Sequence, residues 1–193
     1  MSHPFVRPDS YTYADYYSWP DGIRGELVDG QFYVREPGPS FRHQRVAGSL
    51  FVQIHTFFDG KPCIAISAPL DVRLPRPGDD DGAERDVVQP DIAVICDRAK
   101  IDDRGCRGAP DWVIEVSSPS TRDRDCTLKR DLYARSGVRL YWIVSPQKRD
   151  FTVLRLGAAD GGYGPGRTIE AVGRHAIADY PGLVIDWDRV FAD

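Results

Sequence analysis

Three apolar runs constrain this chain more than any other feature. VVQPDIAVIC (87–96), DWVIEVSS (111–118) and RLYWIVS (139–145) are rich in β-branched and aromatic residues and show little polar alternation. Runs of this kind suit strands buried on both faces, and a sheet built from them needs a covering layer on each side. The sequence also supplies covers. From Ser40 to Asp59, Val46, Ala47, Leu50, Phe51, Ile54, Phe57 and Phe58 recur mostly at steps of three and four, and Gly60 closes the run, which predicts a long amphipathic helix.

Shorter elements surround these. Tyr11 to Trp19, ended by Pro20, suits an opening helix with Ser10 as N-cap. RGELVDGQFYV reads as a hairpin turning at Asp29 and Gly30, a pair that tolerates positive φ at both positions. CIAIS and LDVRL are strand candidates. Pro119 breaks the run after Glu115, and Ser120 or Thr121 is placed to cap a helix that stops at Gly137. FTVLRL, TIEAV and LVIDW make a strand-rich tail. The order predicts an α/β (α+β) fold, a mixed central sheet flanked by helices with additional strands. At 193 residues, one domain over 1–193 is expected.

Composition excludes several classes. Hydrophobic residues at 41% and charged residues at 28% place the chain among folding globular proteins rather than disordered ones. The opening MSHPFVRPDS has no apolar signal core, and no stretch approaches the ~18 apolar residues of a membrane span, so a cytoplasmic protein with no membrane partner is expected. Cys63, Cys96, Cys106 and Cys126 lie singly, without CxxC pairs, and are read as reduced thiols. The net charge of −4 gives nucleic acid no bulk attraction, so a nucleic-acid enzyme of this composition needs local positive charge.

Two carboxylates stand where buried strands should carry apolar groups. Asp91 opens IAVI, and Glu115 lies inside WVIEV. Burying an ionised group costs several kcal/mol unless it is paired or binds a metal, so each needs a partner. Alternation puts Val113, Glu115 and Ser117 on one face of the strand. Two readings follow from the residues alone: a catalytic or metal-binding pair, or a strand-initiating aspartate and a structural ion pair between Glu115 and an arginine.

The runs QPDIAVI, GAPDWVIEVSSPSTR and KRDLYARSGVRLYWIVSP, in this order, with RGELVDGQFYV and the His43-Gln44 pair upstream, resemble the Uma-two (Uma2) family. The resemblance covers most of the chain. It implies the PD-(D/E)XK, restriction-endonuclease-like superfamily and its core of helix, three strands, helix and strand. It further implies that Asp91 and Glu115 hold Mg²⁺ or Mn²⁺, ions that favour carboxylate oxygen. Ser117 departs from the superfamily pattern, because it occupies the place of the lysine in ExK. The resemblance points instead to Lys129 on the next helix; the alternative is a surface i, i+4 partner for Asp125. Glu26 falls where the family carries glutamate, and could orient water or pair with Arg24. His43 could touch the metal or a phosphate, or simply pack.

The implied activity is metal-dependent endonuclease hydrolysis of nucleic-acid phosphodiesters, DNA first among substrates. Its rivals are a catalytically decayed nucleic-acid-binding or regulatory module, favoured by Ser117 and the acidic charge, and a carboxylate-pair glycosidase. A homodimer is compatible with restriction-like enzymes. Asp79-Asp80-Asp81-Gly82 lacks the alternating ligands of a calcium loop and is read as a solvated turn. Arg122, Arg124, Lys129 and Arg130 are interleaved with Asp123, Asp125 and Asp131 and read first as a mixed helix face. Tyr141 and Trp142 read as core aromatics, and His3, His55 and His175 carry no supporting context.

Overall fold

The computed structural model describes residues 10–20, 22–34, 38–119, 121–157 and 161–192. Helix α1 (Tyr13–Tyr17) opens them, capped by Thr12 rather than Ser10: Thr12 accepts from the Asp15 amide while Asp15 reaches back to the Thr12 amide, a capping box. Strands β1 (Gly25–Val28) and β2 (Gln31–Val34) form the expected hairpin. Asp29 and Gly30 both take left-handed φ, 52° and 75°, as a type I′ turn requires. A Cβ at Gly30 would lie 2.4 Å from that of Ser10, so glycine is needed there twice over.

Helix α2 (Phe41–Phe58) starts where Ser40 accepts from the His43 amide, and buries Val46, Leu50, Ile54 and Phe58 at four-residue steps. Strands β3 (Ile64–Ser67) and β4 (Val72–Arg73) follow. The run 87–96, expected as one strand, is two: β5 (Val87–Val88) and β6 (Ile92–Ile95) belong to different sheets. Pro90 has no N–H to offer a ladder, and the chain changes sheets there. Strands β7 (Ile101–Asp102) and β8 (Gly105–Arg107) make a small hairpin before β9 (Trp112–Val116).

The expected helix before Gly137 is split into α3 (Arg122–Cys126) and α4 (Leu128–Arg135) by Thr127, whose ψ of −82° leaves the helical region. Thr121 precedes α3 without a side-chain cap, and the alternative cap, Ser120, lies outside the described residues. Gly137, at φ 88°, ends α4 as expected. Strands β10 (Leu140–Ser145), β11 (Asp150–Arg155) and β12 (Arg167–Glu170) come next, then the pair β13 (Arg174–Ala176) and β14 (Val184–Asp186), and α5 (Trp187–Val190).

One sheet runs β12-β11-β10-β9-β6-β3 and the other β2-β1-β5-β4-β8-β7. Both are mixed, with single parallel pairings at β9–β10 and β4–β8. The parallel β9–β10 pair needs a crossover, and α3 with α4 supplies it. The first sheet is buried on both faces. Trp112, Ile114, Val116, Leu140, Trp142 and Val144 pack with α2 and α5, while Val113, Tyr141 and Ile143 pack with Leu132 and Tyr133 of α4 and with Val72 and Val88 of the second sheet. The expected class, a mixed sheet architecture flanked by helices, is what the chain adopts.

The reading of the cysteines needs correction. Cys63 and Cys96, 33 positions apart in sequence, form a disulfide, while Cys106 and Cys126 are free. Ile64 pairs with Ile95, so the two sulfurs occupy the next rung of the β3–β6 ladder. Single, widely spaced cysteines show no such pairing in a sequence. Among the described residues no helix is long and apolar enough to cross a membrane.

The discounted aspartate run is structural. Asp79 accepts from the Arg76 amide at 2.8 Å, and Asp81 lies 2.9 Å from fully buried Arg73. Nearby, fully buried Glu84 is held by Arg107 Nε at 2.5 Å and by the Gly82 amide at 2.8 Å. Arg107→Ala would leave Glu84 with a buried, uncompensated charge, and is expected to lower stability by about 3 kcal/mol in urea denaturation.

Candidate active site

The change of sheet at Pro90 decides what comes together. Asp91 stands at the seam, one residue before β6, and the β6–β9 register of Ile92 with Ile114 puts it opposite Glu115. Glu26, from β1 of the other sheet, joins through Gln89, whose amide donates to Glu26 Oε1 at 3.0 Å. Lys129 arrives from α4. Its ammonium lies 2.8 Å from Glu26 Oε1 and 2.9 Å from Glu115 Oε1, and it is 5% exposed. The surface pairing with Asp125 weighed from sequence is therefore not its environment.

Each acid is oriented by fixed donors. Asp91 Oδ2 accepts from the Val116 amide at 2.8 Å and stands 3.1 Å from His43 Nε2. Glu115 Oε1 accepts from both Lys129 and the Tyr133 hydroxyl, the latter at 2.8 Å, while its Oε2 has no hydrogen-bond partner among the described residues. Ser117 also lines the cleft, but its hydroxyl is spent on the Val144 carbonyl at 3.2 Å. Asp91, Glu115, Lys129 and Glu26 are thus brought together, with His43 attached through Asp91.

Sequence reading missed two members. Tyr133 lies one helical turn beyond Lys129, and that i, i+4 spacing is the signal that could have found it. Asp125, one turn before Lys129, is 2% exposed and faces the same acids. Tyr141 and Trp142 are fully or almost fully buried core aromatics, as expected.

The electrostatics follow from burial. Burial pushes the Glu115 carboxyl up, towards about 8; Lys129 opposes this, and the charges of Asp91, Asp125 and Glu26 add to it. Burial works against charge on Lys129 as well, but Glu115, Glu26 and Asp125 outweigh it and hold the ammonium protonated. Burial, reinforced by Glu115, likewise keeps the Tyr133 phenol protonated and therefore a donor.

Four acidic side chains share one ammonium at the floor of the cleft, and burial resists charge on Glu115, a penalty that a divalent cation would offset. The donors are hard oxygens, and one Glu115 oxygen remains without a protein donor. Among the described residues no group of three or more His, Cys, Asp or Glu side chains forms a cage for an ion. A two-carboxylate set fits Mg²⁺ or Mn²⁺, since Mg²⁺ keeps several waters and commonly takes one or two protein carboxylates beside substrate phosphate.

These groups line a cleft of about 400 Å³, whose lining also includes exposed Arg42 and half-buried Arg124. A family model described as "Putative restriction endonuclease" matches residues 13–186. A solved structure titled as a "putative nuclease belonging to DUF820" from Anabaena variabilis ATCC 29413 superposes with a TM-score of 0.71 at 17% identity, covering 94% of this chain and 97% of that one. At that identity the likeness is one of fold. No curated protein matches the chain.

Proposed function

The chain belongs to the Uma2 family, and from that premise we propose that it is a divalent-metal-dependent nuclease that hydrolyses phosphodiesters of nucleic acid, DNA first. The observation that carries this reading is the convergence of Asp91, Glu115 and Lys129 at the floor of one cleft. Asp91 and Glu115 would hold Mg²⁺ or Mn²⁺. When bound, the cation supplies Lewis-acid polarisation of the phosphoryl group and makes water a better nucleophile at neutral pH.

The remaining steps belong to the chain. The Val116 amide and His43 fix Asp91, and Tyr133 with Lys129 fixes Glu115 so that Oε2 is left for the ligand. Lys129 places a permanent positive charge where negative charge builds on the phosphate in the transition state. Glu26 would accept a hydrogen bond from the attacking water. Ser117 cannot replace the ExK lysine, but Lys129 reaches Glu115 from the next helix, and this supports a working site over a decayed one.

Calorimetric titration of Mn²⁺ into the wild type and Glu115→Ala, with plasmid and RNA cleavage run on the same samples, tests the reading. Binding and cleavage are expected in the wild type, and both should be lost in the variant; a wild type that binds no Mn²⁺ sinks the metal-nuclease reading. Tyr133→Phe keeps the ring but removes the hydroxyl that fixes Glu115. It should weaken Mn²⁺ binding about tenfold in the same titration, as the loss of a group that orients a ligand does elsewhere.

A further inference from the structure

Resting on the nuclease reading, we propose that Arg42 and Arg124 are the phosphate contacts that seat the substrate backbone in the cleft. The floor of that cleft gathers four acidic side chains around one lysine and offers an anionic polymer no attraction. The net charge of −4 offers no compensating attraction from the chain as a whole. A nucleic-acid strand is therefore held only if uncommitted positive charge stands at the mouth.

Many of the other arginines are already committed. Arg73, Arg76, Arg104, Arg107 and Arg135 pair with Asp29, Asp81, Glu84, Asp86 and Asp102. Arg42 and Arg124 differ, because each lines the cleft and neither forms an ion pair with a carboxylate among the described residues. Arg42 is exposed on the first turn of α2, and Arg124 comes from α3, so two separate elements contribute. The Arg124 guanidinium lies 5.2 Å over the Tyr33 ring. A ring face attracts the cation without neutralising it, so Tyr33 positions Arg124 while its full charge remains available to a phosphate.

The neighbours of Arg124 in sequence do not cancel it. Asp125 is buried towards the floor, and Asp123 is exposed without an ion pair among the described residues. What reads in the sequence as a mixed helix face is thus sorted in space, acid to the floor and arginine to the mouth. Guanidinium also suits the task, since its donors match phosphate oxygens in pairs.

The test uses Arg42→Gln and Arg124→Gln in the full chain, with Arg139→Gln as a control. Arg139 is a strongly exposed arginine paired with Asp111 and is no part of the cleft lining. KM and kcat for cleavage of a labelled DNA are measured between about 50 and 200 mM salt, with Mn²⁺ binding alongside. Each cleft variant should raise KM about tenfold, the loss of one charge-assisted contact, with kcat and Mn²⁺ affinity unchanged and no dependence on base sequence. Each should also flatten the salt dependence of log KM by about 0.9, one released counterion. KM and salt slope equal to wild type, or the same effect from Arg139→Gln, would overturn the assignment while leaving the nuclease reading intact. A wild type that neither binds nor cleaves DNA overturns both.

Discussion

Asp91→Asn is expected to lower the cleavage rate about a thousandfold while leaving the chain folded. Asparagine is almost isosteric, and its carbonyl can still accept from the Val116 amide as Asp91 Oδ2 does at 2.8 Å. What it loses is the charge that would hold the cation opposite Glu115. Lewis-acid stabilisation amounts to several kcal/mol, and each ~1.4 kcal/mol is a factor of ten in rate, hence the estimate. Stability should not fall, because removing a charge relieves the crowding of carboxylates that raises Glu115. Initial rates on plasmid and a thermal melt on the same preparation check both parts. A variant that cuts at the wild-type rate would remove Asp91 from the chemistry.

Lys129→Met should have the largest effect on stability, about 3–5 kcal/mol, because it strips the shared cation from Glu26 and Glu115, both under a tenth exposed. Methionine preserves much of the buried stem, so the loss reports charge rather than packing. The effect should depend on pH. Glu115 already titrates above its ordinary range, towards about 8, and without Lys129 it moves higher still. A folded-state pKa raised above the unfolded one gives stability that is present at low pH and lost as pH rises through the folded value. The variant's deficit in urea denaturation should therefore be smaller near pH 5 than near pH 9. Adding Glu115→Gln to Lys129→Met should restore part of the lost stability, and a double-mutant cycle gives the coupling. An equal deficit at both pH values would show that Lys129 acts through packing alone.

Much of the fold was legible because local chemistry and tertiary context agree. Asp29-Gly30 demands its turn wherever it sits, and α2 carries its apolar stripe in its own sequence. Asp91 and Glu115 stood out for the same kind of reason, as charges placed where only apolar groups belong. The illegible parts are those set by neighbours distant in sequence. Nothing in VVQPDIAVIC says that its halves serve different sheets, since both are apolar and β-branched. The Cys63–Cys96 bond depends on the β3–β6 register, and the burial of Asp125 depends on how α3 lies against β10, where the Tyr141 hydroxyl meets the Asp125 carbonyl at 3.0 Å. The break at Thr127 has no sequence signal that we can identify.

The passage of the chain from one sheet to the other at Pro90 has a consequence for when activity can appear. Glu26 belongs to one sheet and Glu115 to the other, Asp91 stands at the seam between them, and Lys129 comes from the crossover helix that meets both. A partly folded chain that has built either sheet alone owns only a fraction of the constellation. On the proposed nuclease reading, cleavage needs both sheets docked, so a chain that has built only one of them should not cut.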